Sequence, residues 1–279
     1  DHGRYARLLD ELGSDDRFVD LQPLVRCEYL IGNAWGLLWT GEPERSGQFV
    51  RAATEVVLKS RDVAAAESLS HHYGMPLTSF PDGLDQLIDY HTWARANFAQ
   101  SLEISAGARV MLEWTRCCGI ELDLGEEPAG EAKLIESVPR WRWNRALTEV
   151  ARAQIAGDPA RADRLFAAIW DQLEPEDSMS LRILVQSIPT WASILRQLRR
   201  PDDLAALGAQ VTAVTSTAAG ARLRIEPIVA TIAAQHDWAG GDRKAALRGL
   251  RAAAVEASNP ISVQSPVELA VLLHEMGRT

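Results

Sequence analysis

The sequence predicts an all-α chain: a right-handed superhelical solenoid of about six to seven antiparallel helix pairs. Three observations predict it. One helix–corner–helix passage is written three times, as "WTGEPERSGQFVRAAT" (39–54), "IAGDPARADRLFAAIW" (155–170) and "WAGGDRKAALRGLRAA" (238–253). The stretches between corners are rich in Ala, Leu, Arg and Glu, all good helix formers. No stretch alternates apolar and polar residues as a strand does.

The elements follow in order. A helix over 3–12 ends at Gly13 and Ser14. Asp20 caps the next, 20–40, which meets the corner "TGEPE" (40–44). Helices 43–59 and 62–75 precede the corner "FPDGL" (80–84), and 82–101 and 104–122 precede "LGEEP" (124–128). Helices 127–137 and 140–156 lead to "AGDPA" (156–160), then 159–173 and 178–199 to "RRPDD" (199–203). Helices 202–217 and 221–240 lead to "AGGDR" (239–243), followed by 242–257 and a terminal helix 264–277. Successive corners lie 41, 43, 32, 43 and 41 residues apart, a mean of 40. Gly suits the left-handed position after a helix, Pro the first helical turn, and Asp caps bare N–H groups. Such pairs must stack, since one pair cannot cover its own apolar face. The chain is therefore read as one α-solenoid domain, 1–279, with 1–19 an N-terminal helix and loop, 20–257 the repeats, and 264–277 a cap or truncated repeat.

The second helices share a pattern at i, i+4, i+7. It is read as Ala162, Phe166 and Ile169; as Ala245, Gly249 and Ala252; and as Arg45, Phe49 and Ala52. Phe166 is expected to be buried within its own repeat. In the first helix "EYLIGNAWGLLWTG" (28–41), Tyr29, Gly32 and Trp35 share a face. This arrangement resembles a degenerate tetratricopeptide repeat. It is similar to the repeat region of large ATP-binding LuxR-type regulators and related signalling ATPases, with Arg45 where a small residue is usual. The resemblance implies a superhelix whose first helices line a concave surface.

Composition bounds the function. The 279 residues carry a net charge of −9, which argues against direct nucleic-acid binding. The acidity is lopsided: net −10 over residues 1–140 and +1 over 141–279. The basic residues are 26 Arg and 3 Lys, which fits a GC-rich bacterial coding sequence. Three cysteines, Cys27, Cys117 and Cys118, make an odd set with a vicinal pair, as expected of a reducing, cytoplasmic compartment. No apolar run approaches the ~18 residues of a membrane span.

Catalytic motifs are weak. Asp15, Asp16 and Asp20 look like a magnesium–diphosphate cluster, but they fall at a helix-terminating loop. His71 and His72 are adjacent and diverge on a helix; His91 is remote in sequence. "HEMGR" (274–278) has Arg278 where a zinc protease needs its second histidine. No phosphate-binding glycine loop or serine elbow occurs. No cofactor, metal or catalytic residue is assigned.

One stripe points to recognition. In "PRWRWNRALTEVARAQ" (139–154), Arg142, Arg145, Glu149 and Arg152 recur along one face. Guanidinium groups bind carboxylate and phosphate bidentately. Tyr29, Asn33, Glu113 and Arg116 are further candidates from earlier first helices. The expected function is a non-catalytic binding and sensing module within a bacterial transcriptional or signalling regulator. Its partner would be a protein, a peptide or a small acidic effector; homo-oligomers are possible. The alternatives are an all-α enzyme of specialised metabolism using Asp15, Asp16 and Asp20 with magnesium, and a structural oligomerisation arm.

Overall fold

The computed structural model describes residues 22–40, 42–72, 82–120, 122–172, 178–214, 225–256 and 264–277. Among them thirteen α-helices and one 3₁₀ turn are formed, and no strand. The sequence-predicted helix 3–12 and Asp15, Asp16 and Asp20 lie outside the described residues. The chain divides into two compact units, 1–138 and 139–279.

In the first unit, α1 (Pro23–Thr40) and α2 (Pro43–Ser60) form a hairpin, and α3 (Val63–His72) packs on both. Helices α4 (Gly83–Asn97) and α5 (Leu102–Thr115) pair, and α5 continues into the 3₁₀ turn Arg116–Cys118. The short α6 (Ala129–Ser137) packs on α5. The core joins Ile31 and Ala34 of α1, Val50 and Val57 of α2, Leu69 of α3, Leu87 and Tyr90 of α4, and Ile104 of α5.

The second unit contains three hairpins. They are α7 (Pro139–Ile155) with α8 (Pro159–Trp170), α9 (Ser178–Gln197) with α10 (Pro201–Val214), and α11 (Glu226–Ala239) with α12 (Arg243–Glu256). Helix α13 (Gln264–Glu275) follows. First helices touch first helices, α7 on α9 and α9 on α11; α8 also packs on α9, and α10 on α11. Helix α13 lies on α12 and reaches α9 and α11. Arg196 of α9, itself buried, clasps Glu275 of α13 with two hydrogen bonds of 2.8 Å.

The corners share one backbone device. The N–H of Asp158 donates to Ala153 O, that of Arg200 to Leu195 O, and that of Asp242 to Asp237 O, each at 2.9–3.0 Å. Glu42 does the same to Leu37 O in the first hairpin. This six-to-one bond closes a helix when the residue before its donor turns left-handed. Gly157 (φ +74°), Arg199 (φ +56°) and Gly241 (φ +92°) make that turn in the second unit. Residue 200 follows 158, and 242 follows 200, by 42 residues each. Asp158 and Asp242 then accept from Arg161 N and Ala245 N at 2.9 Å, capping the next helix. Arg199 serves without the freedom of glycine, at a strain of roughly 1 kcal/mol.

Counting from these donors corrects the register of the second helices. Ala162, Phe166 and Ile169 follow Asp158 by 4, 8 and 11 residues, and all are buried. The same offsets give Ala246, Leu250 and Ala253 after Asp242, and Ser46, Val50 and Ala53 after Glu42, all buried. Ala245, Gly249 and Ala252, like Arg45, Phe49 and Ala52, lie one residue off this face, and none is fully buried. The small residue of the first hairpin is thus Ser46, whose hydroxyl donates to Ala34 O at 2.7 Å; Arg45 instead pairs with Glu42 at the surface. The chain at 124–128 is likewise no tight corner. Residues 122–128 run non-helically and are held by side chains, which accounts for the single short step.

Candidate functional site

Helix α7 carries the arginine stripe because its other face is spent on the core. Trp141, Trp143, Val150 and Ala153 are buried. That leaves Arg142, Arg145, Glu149 and Arg152 half-buried. The Arg142 guanidinium carbon lies 4.4 Å from the Trp143 ring centroid, a cation–π distance. Its Nε is shut off from solvent and donates to no acceptor among the described residues. Glu149 accepts a hydrogen bond from Arg152 Nη1, and Arg161 of α8 stands 4.0 Å from its other oxygen. One carboxylate therefore faces two guanidiniums, while Arg142 and Arg145 lie toward the start of the helix. The structure joins Glu149 and Arg152 of the predicted stripe with Arg161 of α8.

The other four candidates belong to the first unit. Asn33 is buried on α1, and its Nδ2 donates to Tyr29 O at 2.8 Å, so it is held against its own helix. Tyr29 is half-buried. Glu113 is half-buried near the end of α5. Arg116 is exposed, and its Nη2 donates to Leu122 O at 2.6 Å. It borders an open depression of about 700 Å³ lined also by Gly119, Ile120, Leu122 and Asp123.

The titratable groups singled out in the sequence are largely structural where described. His91 is fully buried, with its ring 5.2 Å edge-on from Tyr90, and burial pushes it down to about 3. It is a core histidine at neutral pH. The side chains of His71 and His72 lie outside the described residues. Cys27 is buried, with its thiol donating to Ala65 O at 3.5 Å. Burial, with the charges of Glu28 and Asp62, pushes that thiol up to about 12, which makes it a poor nucleophile. Cys117 is half-buried, and the side chain of Cys118 lies outside the described residues. Glu275 of "HEMGR" is engaged by Arg196. Among the described residues, no three His, Cys, Asp or Glu are grouped to hold a metal. No helix among them is long and apolar enough to cross a membrane.

Two clusters escaped the sequence reading. The first is a buried knot around Arg109, a residue in the middle of an apolar stretch with nothing local to mark it. Arg109 Nε donates to Glu131 at 2.5 Å, and its Nη2 to the carbonyls of Leu124 and Glu126 at 3.0 and 2.9 Å. Ser105 also donates to Glu131. Burial alone would raise the Glu131 carboxyl; the Ser105 and Arg109 hydrogen bonds and the nearby Arg charges outweigh it and hold the group low. The second is a stripe of exposed cations on α12: Lys244, Arg248 and Arg251. Its signal was readable, because no acidic residue occurs between Arg243 and Val255.

No protein-family model, no curated protein and no solved structure matches this chain.

Proposed function

We propose that the chain is a non-catalytic binding and sensing module, a tetratricopeptide-like helical-repeat scaffold serving a bacterial transcriptional or signalling regulator. The observation that carries this reading is the common corner. A six-to-one bond recurs at 42-residue intervals through the second unit. It is followed by buried positions at offsets 4, 8 and 11 after Asp158 and Asp242, and after Arg200 by buried Leu204 and Val211 at offsets 4 and 11 with the half-buried Gly208 between them. First helices packed side by side also support a stacked, superhelical array, whose inner surface suits extended ligands. Helix α7 is a first helix, and its guanidiniums outnumber the one carboxylate among them. An anion held by several charge-assisted hydrogen bonds fits there: a peptide C-terminus, an acidic segment or a small acidic effector.

The test uses fluorescein-labelled acidic peptides, with free or amidated C-termini, in fluorescence anisotropy against the full chain. Arg142→Glu with Arg145→Glu should abolish binding while the far-ultraviolet circular dichroism stays unchanged. Equal binding by the folded double variant would show that α7 is plain solvated surface.

A further inference from the structure

The strongest unassigned feature is the bare positive charge on α12. Lys244, Arg248 and Arg251 lie at i, i+4 and i+7 and are all exposed. Three other arginines of this unit do find carboxylates: Arg152 has Glu149, Arg196 has Glu275, and Arg200 has Asp163 and Asp203. None of the three on α12 has such a partner among the described residues. Like charges at these spacings repel, so the helix bears them at some expense to its own stability. The apolar face of α12, with Ala246, Leu247 and Leu250, is already filled against α11 and α13. The stripe therefore offers charge alone, over roughly 10 Å of helix.

A matching stripe of opposite sign lies on α4. Asp82, at its N-cap, and Asp85 and Asp89 are all exposed. Among the described residues, the Asp82 carboxylate accepts from the neutral Gln86 amide, at 3.1 Å, and from no cation. Neither Asp85 nor Asp89 has a cation partner among the described residues. The spacings correspond when the helices run antiparallel. Lys244 meets Asp89, Arg248 meets Asp85, and Arg251 meets Asp82, because both series step by four and then by three. The net charge of −9 disfavours a nucleic acid or an anionic membrane as occupant.

We infer that α12 of one copy docks antiparallel on α4 of a second copy through these three ion pairs. The surface is separate from the α7 stripe, and the inference does not depend on the function proposed for it. Each copy carries both stripes, so the contact forms twice within a dimer or once per step along a chain of copies. Exposed ion pairs are individually weak and screened by salt, so the association is modest and salt-sensitive.

Sedimentation velocity on the full chain tests this. Self-association should be present at about 0.03 M salt and lost by about 0.5 M. Arg248→Glu with Arg251→Glu, and separately Asp85→Arg with Asp89→Arg, should each give a monomer. Mixing these two variants should restore association, since each then offers the other a complementary face. Should a reversed variant misfold, the milder Arg248→Gln with Arg251→Gln should still weaken association about tenfold. A monomeric native chain at low salt would overturn the inference. So would self-association in a folded reversed variant, or a mixture of folded variants that stays monomeric.

Discussion

Arg109 of α5 and Glu131 of α6 form an ion pair of 2.5 Å with both side chains about 4% exposed. The pair does more than join two helices. The rest of the guanidinium holds the carbonyls of Leu124 and Glu126, so the same side chain also ties down the non-helical stretch just before α6. A charge this deep is tolerated because nearly every donor has an acceptor.

Removing one member should therefore be severe. Arg109→Leu leaves the Glu131 carboxylate buried with the Ser105 hydrogen bond and the charge of Arg95 but without its ion-pair partner, and should cost about 3–5 kcal/mol by urea denaturation. Arg109→Leu with Glu131→Leu should recover a good part of that loss, because no uncompensated charge then stays buried. A double variant as unstable as the single would show that the carbonyl bonds to the connector, not the ion pair, dominate.

His91 sets a pH dependence on folding. It is buried uncharged and pushed down to about 3, against roughly 6.5 in an unfolded chain. Below about pH 6.5 the unfolded state takes up a proton that the folded state refuses. Stability is therefore full above that pH and falls as the pH drops toward 3, by up to about 1.4 kcal/mol per unit from this group. His91→Gln should flatten the stability curve between pH 4 and 6, a range set by those two limits. An unchanged slope in that variant would assign the dependence to the carboxylates instead.

Phe166 anchors the α7–α8 hairpin to the next one. Its ring stacks on Trp191 of α9, with centroids 4.9 Å apart and planes at 15°. The Trp191 indole N–H is in turn held by Asp163 at 2.8 Å. Phe166→Ala should cost about 3–5 kcal/mol, since it opens a cavity at a fully buried position and removes the face on which Trp191 lies. A loss below about 1 kcal/mol in thermal or urea denaturation would mean that Trp191 collapses into the space.

The sequence by itself determined the helices and most of their ends. Gly, Pro and Asp at the corners act through local backbone geometry, which needs no knowledge of distant residues. Hence the predicted helices over 43–59, 140–156, 159–173 and 242–257 agree closely with α2, α7, α8 and α12. Phe166 was identified as core for the same reason, since its face is marked by helical spacing alone. Tertiary structure decided what spacing leaves open. Whether Ala245 or Ala246 turns inward depends on the neighbouring helix, and both are alanine. Arg109 looks like any surface arginine until Glu131, 22 residues on, is folded against it. Arg196 is told apart from its neighbours only by Glu275, 79 residues away. The α7 stripe was legible as charge, but Arg161, which shares Glu149 with Arg152, arrives from the next helix. Burial and ion pairing are properties of approach between elements; a linear pattern records only which residues are available for them.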